Sequence, residues 1–567
     1  MIKSKLVRLW IALAVGCVQV PVLAQWVDVV PNPMETTIGK TIGASWGDVD
    51  GDGDDDICLG TTSTGPTHLF LNDGNGNFDR QYDSLLDQYY PVWSPTLGDY
   101  DNDGDLDVFL ISFGQPSRLL KNNGGATFVE VTSDGLFSGD GNLMARGGAW
   151  ADFDADGLLD IMVSTNAPKP TVQNDKLYQN LGGDMFSDVS PSVFGDMSIG
   201  RGVVWSDFDN DGDVDLYAVG GKGCPCDWEA QPEDWLTNAE NRMFENVDGV
   251  FVDVTTDVTV DIDHGRGVTA GDYDNDGDMD LYICNITVTG EEGSNPESYG
   301  GDNKLLRNDG DFVFTDVTPL ELVGTGNHRG CGWLDFDNDG DLDLLTIAMN
   351  GDITTMFENI NAGENFVPVF EDVFGNPFYQ GISGGACSFS DYDIDGDVDV
   401  FISHKNGSNR LIRNELANDN DWIEIKLEGI ESNRGGIGAR IKVTTSQGEQ
   451  ISDVRTGTGY WGQNSLVQHF GLGLNASIQR IDVTWPSGIH QTIVTPSSNE
   501  RLEVVECEGV CSCEGDINGD GSVDVTDFVH LINEWGDCID CLSDLNADGV
   551  VNVQDILVIV VKWGACP

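Results

Sequence analysis

Positive charge is what this chain has least of. Against 96 aspartates and glutamates stand only 28 lysines and arginines, which leaves a formal charge of −68 over 567 residues. Such a surface repels polyphosphates and anionic bilayers, so nucleic-acid and membrane-surface partners are excluded. Histidine is scarce as well: the seven are scattered, and neither H-E-x-x-H nor G-x-x-x-x-G-K-[ST] occurs. Long apolar runs are missing beyond the N-terminus. The longest late one, "ILVIVV", falls far short of the ~20 residues a membrane-spanning helix needs. Apolar residues nevertheless make up 40% of the chain and are spread along it, enough for several cores, and the length suits three or four domains.

Residues 1–24 read as a secretory signal. Lys3, Lys5 and Arg8 precede an apolar stretch from Leu9, and Val22 and Ala24 stand before a cleavage point at Gln25; a lipoprotein cysteine at Cys17 is the rival reading. Export permits disulfides. Six of the remaining cysteines crowd the last segment (Cys507, Cys511, Cys513, Cys538, Cys541 and Cys566), an even number that predicts three bridges of open pairing, with zinc as the alternative. Cys331 and Cys387 occupy equivalent places in successive repeats and read as small buried residues, and Cys224 and Cys226 read as a loop staple.

What the chain has in excess is one acidic nonapeptide, seven times over. Its aspartates are Asp48, Asp50, Asp52, Asp54 and Asp56; Asp99, Asp101, Asp103, Asp105 and Asp107; Asp152, Asp154, Asp156 and Asp160 with Leu158. They continue with Asp207, Asp209, Asp211, Asp213 and Asp215; Asp272, Asp274, Asp276, Asp278 and Asp280; Asp335, Asp337, Asp339, Asp341 and Asp343; and Asp391, Asp393, Asp395, Asp397 and Asp399. Oxygen donors at positions 1, 3, 5 and 9, a glycine at 6 and a main-chain carbonyl at 7 predict a Ca²⁺ cage, with Mg²⁺ disfavoured by its tighter octahedral demands. Leu158 at position 7 fits the use of a main-chain oxygen there.

Each loop lies between a small-residue strand such as "GGAWA" and an alternating strand such as "DLYAV". A third strand ending in Asn ("RLLKN", "KLYQN", "RMFEN") and a fourth of the type "FVDVT" follow. Four strands per repeat predict propeller blades, and the orphan strand "WVDVV" at Trp26 to Val30 is expected to complete the last blade and close a ring of seven over residues 25–416. These D-x-D-x-D-G-x-x-D blades resemble FG-GAP/VCBS repeats of the integrin-α-like propeller. The resemblance implies a calcium-stabilised scaffold that presents ligands.

Residues 420–506 change to alternating apolar residues broken by Gly and Asn, a small all-β module. Its "SNRGGIGARI", "GTGYWGQN", "HFGLG" and "VTWPSG" are similar to the ASPIC/UnbV domain, and propeller plus module resembles the cartilage acidic protein family. Residues 507–567 hold two loops of EF-hand spacing, Asp516, Asn518, Asp520, Ser522, Asp524 and Asp527, then Asp544, Asn546, Asp548, Val550, Asn552 and Asp555. Each runs into one apolar helical stretch. This resembles a type I dockerin, which implies two further Ca²⁺ sites beside the seven of the propeller and a cohesin-like docking partner.

The fold class expected is mainly β: a seven-bladed β-propeller, a small all-β module and a short α-helical calcium-binding tail. Arg146, Arg201, Arg266 and Arg329 each stand six residues before a loop, so they form an arc of donors for a carboxylate or sulfate, or pair with acidic neighbours; His264 and His328 share that ambiguity. Long insertions with Trp228, Trp235 and Tyr299 mark a rim for a protein or glycan ligand. The composite reading is a secreted, non-enzymatic, extracellular or cell-surface calcium-binding protein for recognition or adhesion. The alternatives are an extracellular polysaccharide hydrolase or lyase, or an accessory subunit of such a complex, and a structural matrix component.

Overall fold

The computed structural model describes residues 26–29, 33–34, 41–62, 65–82, 85–89, 91–131, 137, 145–165, 175–194, 200–220, 240–260, 265–288, 299–323, 327–348, 354–360, 369–372, 384–405, 407–415 and 418–507. In the tail it describes 517, 522–523, 525–533, 535–537, 543, 545, 550–562 and 564–565. The fold is mainly β, as the alternating sequence pattern predicts.

Among the described residues, seven sheets of antiparallel neighbours are built outward from the strands Thr41–Gly47, Val92–Gly98, Ala145–Ala151, Gly200–Ser206, Gly265–Gly271, His328–Leu334 and Gly384–Ser390. These inner strands pack side by side in chain order, and the seventh packs against the first, so the sheets stand in a ring. The seventh sheet takes its outer strand from the N-terminus: Trp26–Asp28 runs antiparallel to Arg410–Asn414, with Trp26 opposite Asn414. Closure of this kind removes the exposed edges an open stack would present.

The repeat places alternate residues in opposite environments. The residue between the first two aspartates of each loop (Val49, Tyr100, Phe153, Phe208, Tyr273, Phe336 and Tyr392) is buried between neighbouring sheets. Tyr392 stacks on Trp46 at 6.1 Å and Tyr273 on Trp333 at 5.9 Å, joining adjacent sheets. An acidic loop therefore sits directly on an aromatic core without breaking it.

The Asn that ends each third strand is the second device. Its side chain donates to the main-chain carbonyl of that same buried position in the preceding sheet: Asn122 to Val49 at 2.7 Å, Asn180 to Tyr100 at 2.8 Å, Asn246 to Phe153 at 2.8 Å and Asn308 to Phe208 at 2.8 Å. Asn359 reaches Tyr273, Asn414 reaches Phe336, and Asn72 reaches Tyr392, which completes the circle. A buried amide that satisfies a carbonyl of the neighbouring sheet converts seven separate sheets into one object.

Residues 420–506 form two sheets. One has Gln468–Leu474 and Arg501–Val505 flanking Asn420–Glu428; the other runs Glu449–Asp453, Arg440–Thr445, Ile478–Thr484, His490–Val494. Alternate residues Ile441, Val443, Ile481 and Val483 face the core with Ile423, Ile425 and Trp485. In the tail, helices Val525–Asn533 and Val553–Lys562 pack together over Val523, Leu531, Val551 and Ile559. Among the described residues no helix is long and apolar enough to cross a membrane. Cys58, Cys284, Cys331 and Cys387 are buried free thiols, Cys507 is disulfide-bonded, and the other five tail cysteines lie outside the described residues, as do Cys224 and Cys226.

Replacing Asn308 by Ala strands the buried carbonyls of Phe208 and Met279. Denaturant unfolding should show a loss of about 2–4 kcal/mol for Asn308→Ala, against less than about 0.5 kcal/mol for the exposed Asn123→Ala.

Candidate metal centres

Each acidic loop closes on its first aspartate. One carboxylate oxygen of Asp99 accepts the N–H of Asp103 and the other that of Gly104, at 3.1 and 2.8 Å; the same pair recurs at Asp152, Asp207, Asp272, Asp335 and Asp391. The turn needs a left-handed residue at position 4, where Gly51, Asn102, Ala155, Asn210, Asn275, Asn338 and Ile394 all have positive φ. Asn tolerates this conformation best after glycine. Its side chain also reaches the next loop: Asn275 donates to Gly340 O and Asp341 Oδ1, and Asn338 to Gly396 O and Asp397 Oδ1. Thus in the fifth, sixth and seventh loops the acidic side chain at position 7, which the sequence left idle, accepts a hydrogen bond from the preceding loop, Asp278 from Asn210 among them.

The ninth residue has a structural task. Asp56 accepts the N–H groups of Val49, Asp50 and Asn72, at 2.8, 3.3 and 2.8 Å, and Asp107, Asp160, Asp215, Asp280 and Asp343 likewise bridge position 2 to the Asn of the third strand. Burial pushes these carboxyls up, Asp56 to about 8 and Asp107, Asp160 and Asp215 to about 9, although the backbone donors pull the other way.

The third residue is different. Oδ1 of Asp50, Asp101, Asp154, Asp274 and Asp393 is buried and accepts no hydrogen bond among the described residues. Beside it lie the first and ninth carboxylates: one oxygen from each of Asp48, Asp50 and Asp56 falls within 4.8 Å of the others, and so do Asp99, Asp101 and Asp107, Asp152, Asp154 and Asp160, and Asp207, Asp209 and Asp215. In the fifth loop the trio is Asp272, Asp274 and Asp276. Two carboxylates about 4 Å apart repel by about 4 kcal/mol at an effective dielectric near 20. Burial first, then its aspartate neighbours, raises Asp274 to about 6 and Asp54 to about 7. A hard divalent cation fits the donor set, because it would ligate the orphaned oxygen and offset that repulsion. In the second loop Lys121 supplies part of this charge, with its ammonium against Asp101 and 3.0 Å from Asp103.

The all-β module covers the loop face. Arg440 donates to Asp453, to the carbonyl of Asp207 and to Asn210; Lys426 approaches Asp48; the N–H of Arg434 meets Asn102; and His469 bonds Asn338 at 2.6 Å. Burial drops His469 to about 3, so it is neutral there. One loop of the module, Thr456 to Gln463, enters the ring axis. Gly459 exchanges two main-chain hydrogen bonds with Val268, Gly462–Gln463 pairs with Ala44–Ser45, and Gln463 clasps Leu97 from both sides. That plug was not foreseen; "GTGYWGQN" carried the resemblance to the ASPIC/UnbV domain and a glycine-rich loop signal, but no sign of where the loop ends.

Arg146, Arg201, Arg266 and Arg329 are brought together at equivalent points of four successive inner strands, all of them buried. Trp228, Trp235 and His264 lie outside the described residues. In the tail, so do Asp516, Asn518, Asp520, Asp524, Asp544, Asn546 and Asp548. Of the rest, Asp527 and Asp555 are fully buried at the starts of the two helices, where they accept the N–H of Ile517 at 2.7 Å and of Asn552 at 2.8 Å; Ser522 and Val550 lie in short ladders. Two stretches have the G-x-S-x-G spacing of a nucleophile elbow, residues 43–47 and 381–385. Ser45 sits within an inner strand and donates to Pro95 O at 2.7 Å, which is no elbow, and Ser383 lies outside the described residues.

The third and ninth positions are separable by mutation. In metal-free protein Asp56→Ala should cost about 3 kcal/mol, since three main-chain donors lose their acceptor, whereas Asp50→Ala should be neutral or slightly stabilising because it removes like charge. Urea titration of the two variants in chelator checks this.

Residues 48–110, 99–163 and 293–346 match the FG-GAP-like repeat, and residues 429–510 match the ASPIC and UnbV family. Cartilage acidic protein 1 of Xenopus tropicalis is 24% identical over 504 residues, covering 81% of this chain and 71% of the relative; the Homo sapiens protein is 24% identical over 528 residues, covering 84% and 73%. Among solved structures, an Agrocybe aegerita lectin that recognises non-reducing terminal N-acetylglucosamine aligns over 64% of this chain and 86% of its own, at 17% identity and a TM-score of 0.40. An exotype rhamnogalacturonan lyase aligns over 69% and 76%, at 14% identity and a TM-score of 0.35. The chain carries FG-GAP-like repeats and an ASPIC and UnbV domain, and it is homologous to cartilage acidic protein 1.

Proposed function

We propose that this protein is an exported, non-enzymatic calcium-binding scaffold for extracellular recognition. The observation that carries the reading is the buried third-position oxygen, which in five loops has no hydrogen bond among the described residues and at Asp50, Asp101, Asp154 and Asp274 is flanked by two further carboxylates. Calcium suits such loops better than magnesium because it accepts irregular all-oxygen cages. Its role is structural: each ion would tie the first, third and ninth aspartates of a loop, and the ninth already holds the third strand. Removing it would loosen the ring before any recognition surface is lost.

The export reading rests on the basic and apolar character of residues 1–24. Recognition of a protein or glycan is assigned to the long insertions that carry Trp228, Trp235 and Tyr299. The tail is proposed to be a dockerin-like anchoring unit. Its support is the placement of Asp527 and Asp555, each at the start of a single helix that follows a candidate loop.

Calorimetric titration of Ca²⁺ into chelator-stripped full-length protein, with the melting temperature followed in parallel, tests the reading. About seven to nine equivalents and a rise of more than about 10 °C are expected. Fewer than about three equivalents, or an unchanged melting temperature, would refute it. Lys121→Met should lower the melting temperature in chelator, where the ammonium offsets Asp101 and Asp103, and have a smaller effect in calcium.

A further inference from the structure

The four arginines belong to a chemically divided collar inside the ring. All seven inner strands slip register against their second strands at the same height: between Thr41 and Gly43, Val92 and Ser94, Ala145 and Gly147, Gly200 and Val203, Gly265 and Val268, His328 and Gly330, and Gly384 and Cys387. A bulge re-aims the side chain it displaces. The displaced residues are Arg146, Arg201, Arg266 and Arg329 on four consecutive strands, and Ile42, Trp93 and Gly385, next to Ala386, on the other three. One arc of the collar is cationic and the other apolar.

Tyr460 and Trp461, at the tip of the module's plug, join the two arcs. They stack at 3.7 Å and pack with Ile42, Ala386 and Trp93 as one apolar cluster, with Trp461 edge-on to Trp93 at 5.1 Å. The Arg146 guanidinium lies over the Trp93 ring at 4.7 Å and over Phe113 at 5.0 Å. The Tyr460 side chain is 1% exposed, and its hydroxyl, among the described residues, has no hydrogen-bond partner. Burial would push that phenol up, yet the fields of Arg146, Arg201, Arg266 and Arg329 together bring it below the ordinary value, so all four guanidiniums act on this one oxygen. Arg266 is itself depressed, by burial first and then by Arg201, with Arg329 and Arg146 adding to it.

We propose that this collar is a binding site for a small organic carboxylate with a flat apolar body, the carboxylate received by the arginine arc and the Tyr460 hydroxyl, the body by Trp93 and Trp461. Guanidinium forks match a carboxylate's two oxygens, and a bound anion would favour the charged form of Arg266, which burial and the neighbouring guanidiniums disfavour. An indole face and edge suit a planar ring. Of the four arginines, Arg146 and Arg329 at the ends of the arc keep the most exposure, 5% and 9%. The inference stands independently of the calcium reading, because none of these residues belongs to an acidic loop.

The test is calorimetry and tryptophan fluorescence on full-length, calcium-loaded protein with three probes: benzoate, its neutral isostere benzamide, and inorganic sulfate. Benzoate should bind saturably at one equivalent and change the tryptophan emission; benzamide should not bind, and sulfate should compete only weakly. Arg266→Met should weaken benzoate by about tenfold or more. Tyr460→Phe removes a hydroxyl that no described residue uses, so it should keep the melting temperature of the parent while weakening benzoate about threefold to tenfold. Absence of saturable benzoate binding, benzamide binding as tightly, or affinity unchanged in Tyr460→Phe would each overturn the proposal. Sulfate binding as tightly as benzoate would overturn the role given to the apolar arc.

Discussion

One repeated hydrogen-bonded clasp governs this molecule. The Asn at the end of each third strand gives its main-chain N–H to the ninth aspartate of its own loop and its side-chain amide to a carbonyl in the preceding sheet. Because every sheet holds its predecessor, and the first holds the seventh, no sheet can leave alone. The aromatic residue whose carbonyl is taken lies between the sheets it joins, so the polar clasp and the apolar core are fixed by the same short stretch of chain. Neither would suffice separately: a buried amide without an acceptor is costly, and an aromatic core without the clasp leaves the main chain of the loop unsatisfied.

The acidic loops follow from that arrangement. Their first and ninth aspartates are committed to main-chain donors, and in most of them a carboxylate oxygen of the third is buried without a hydrogen-bond partner among the described residues. All seven loops lie on one face, and the face is covered by a module that brings Arg440, Lys426 and Arg501 toward it; Arg501 donates to the buried Glu424 at 2.7 Å. Much of the little positive charge in the chain is spent within reach of this layer. The electrostatics of the fold are thus local: a dense negative layer held between an aromatic ring and a basic-edged lid.

Much of this was legible in the residues. The nonapeptide, the four strands around it and the N-terminal strand that finishes the last sheet all follow from spacing and alternation, since period-two patterns and glycine at a tight turn are local signals. The Asn at the third strand's end was visible, but its partner in the previous sheet was not, because a contact between repeats leaves no local periodicity. Asn at loop position 4 and Asp at position 7 read as ornament until their bonds to each other across loops are seen. The arginine arc was legible from its constant offset. Its apolar complement was not, because Ile42, Trp93 and Gly385 share a height and no chemistry. The axial plug comes from a segment distant in sequence, and no propensity encodes where such a loop ends.

The position of that plug also sets an order of events in time. Trp26–Asp28 waits for Arg410–Asn414, and Ala44–Ser45 waits for Gly462–Gln463, so the first residues of the ring find their partners only after its last sheet, and then about half of the module, exist. Pairings so far apart in sequence are slow to form and leave strand edges open meanwhile. A chain released before Gln463 would possess every acidic loop of the ring and all seven inner strands and still lack the complete central pin, which touches each of those strands. Premature termination within the module therefore amounts to a defect of the ring itself, and the two domains mature as one.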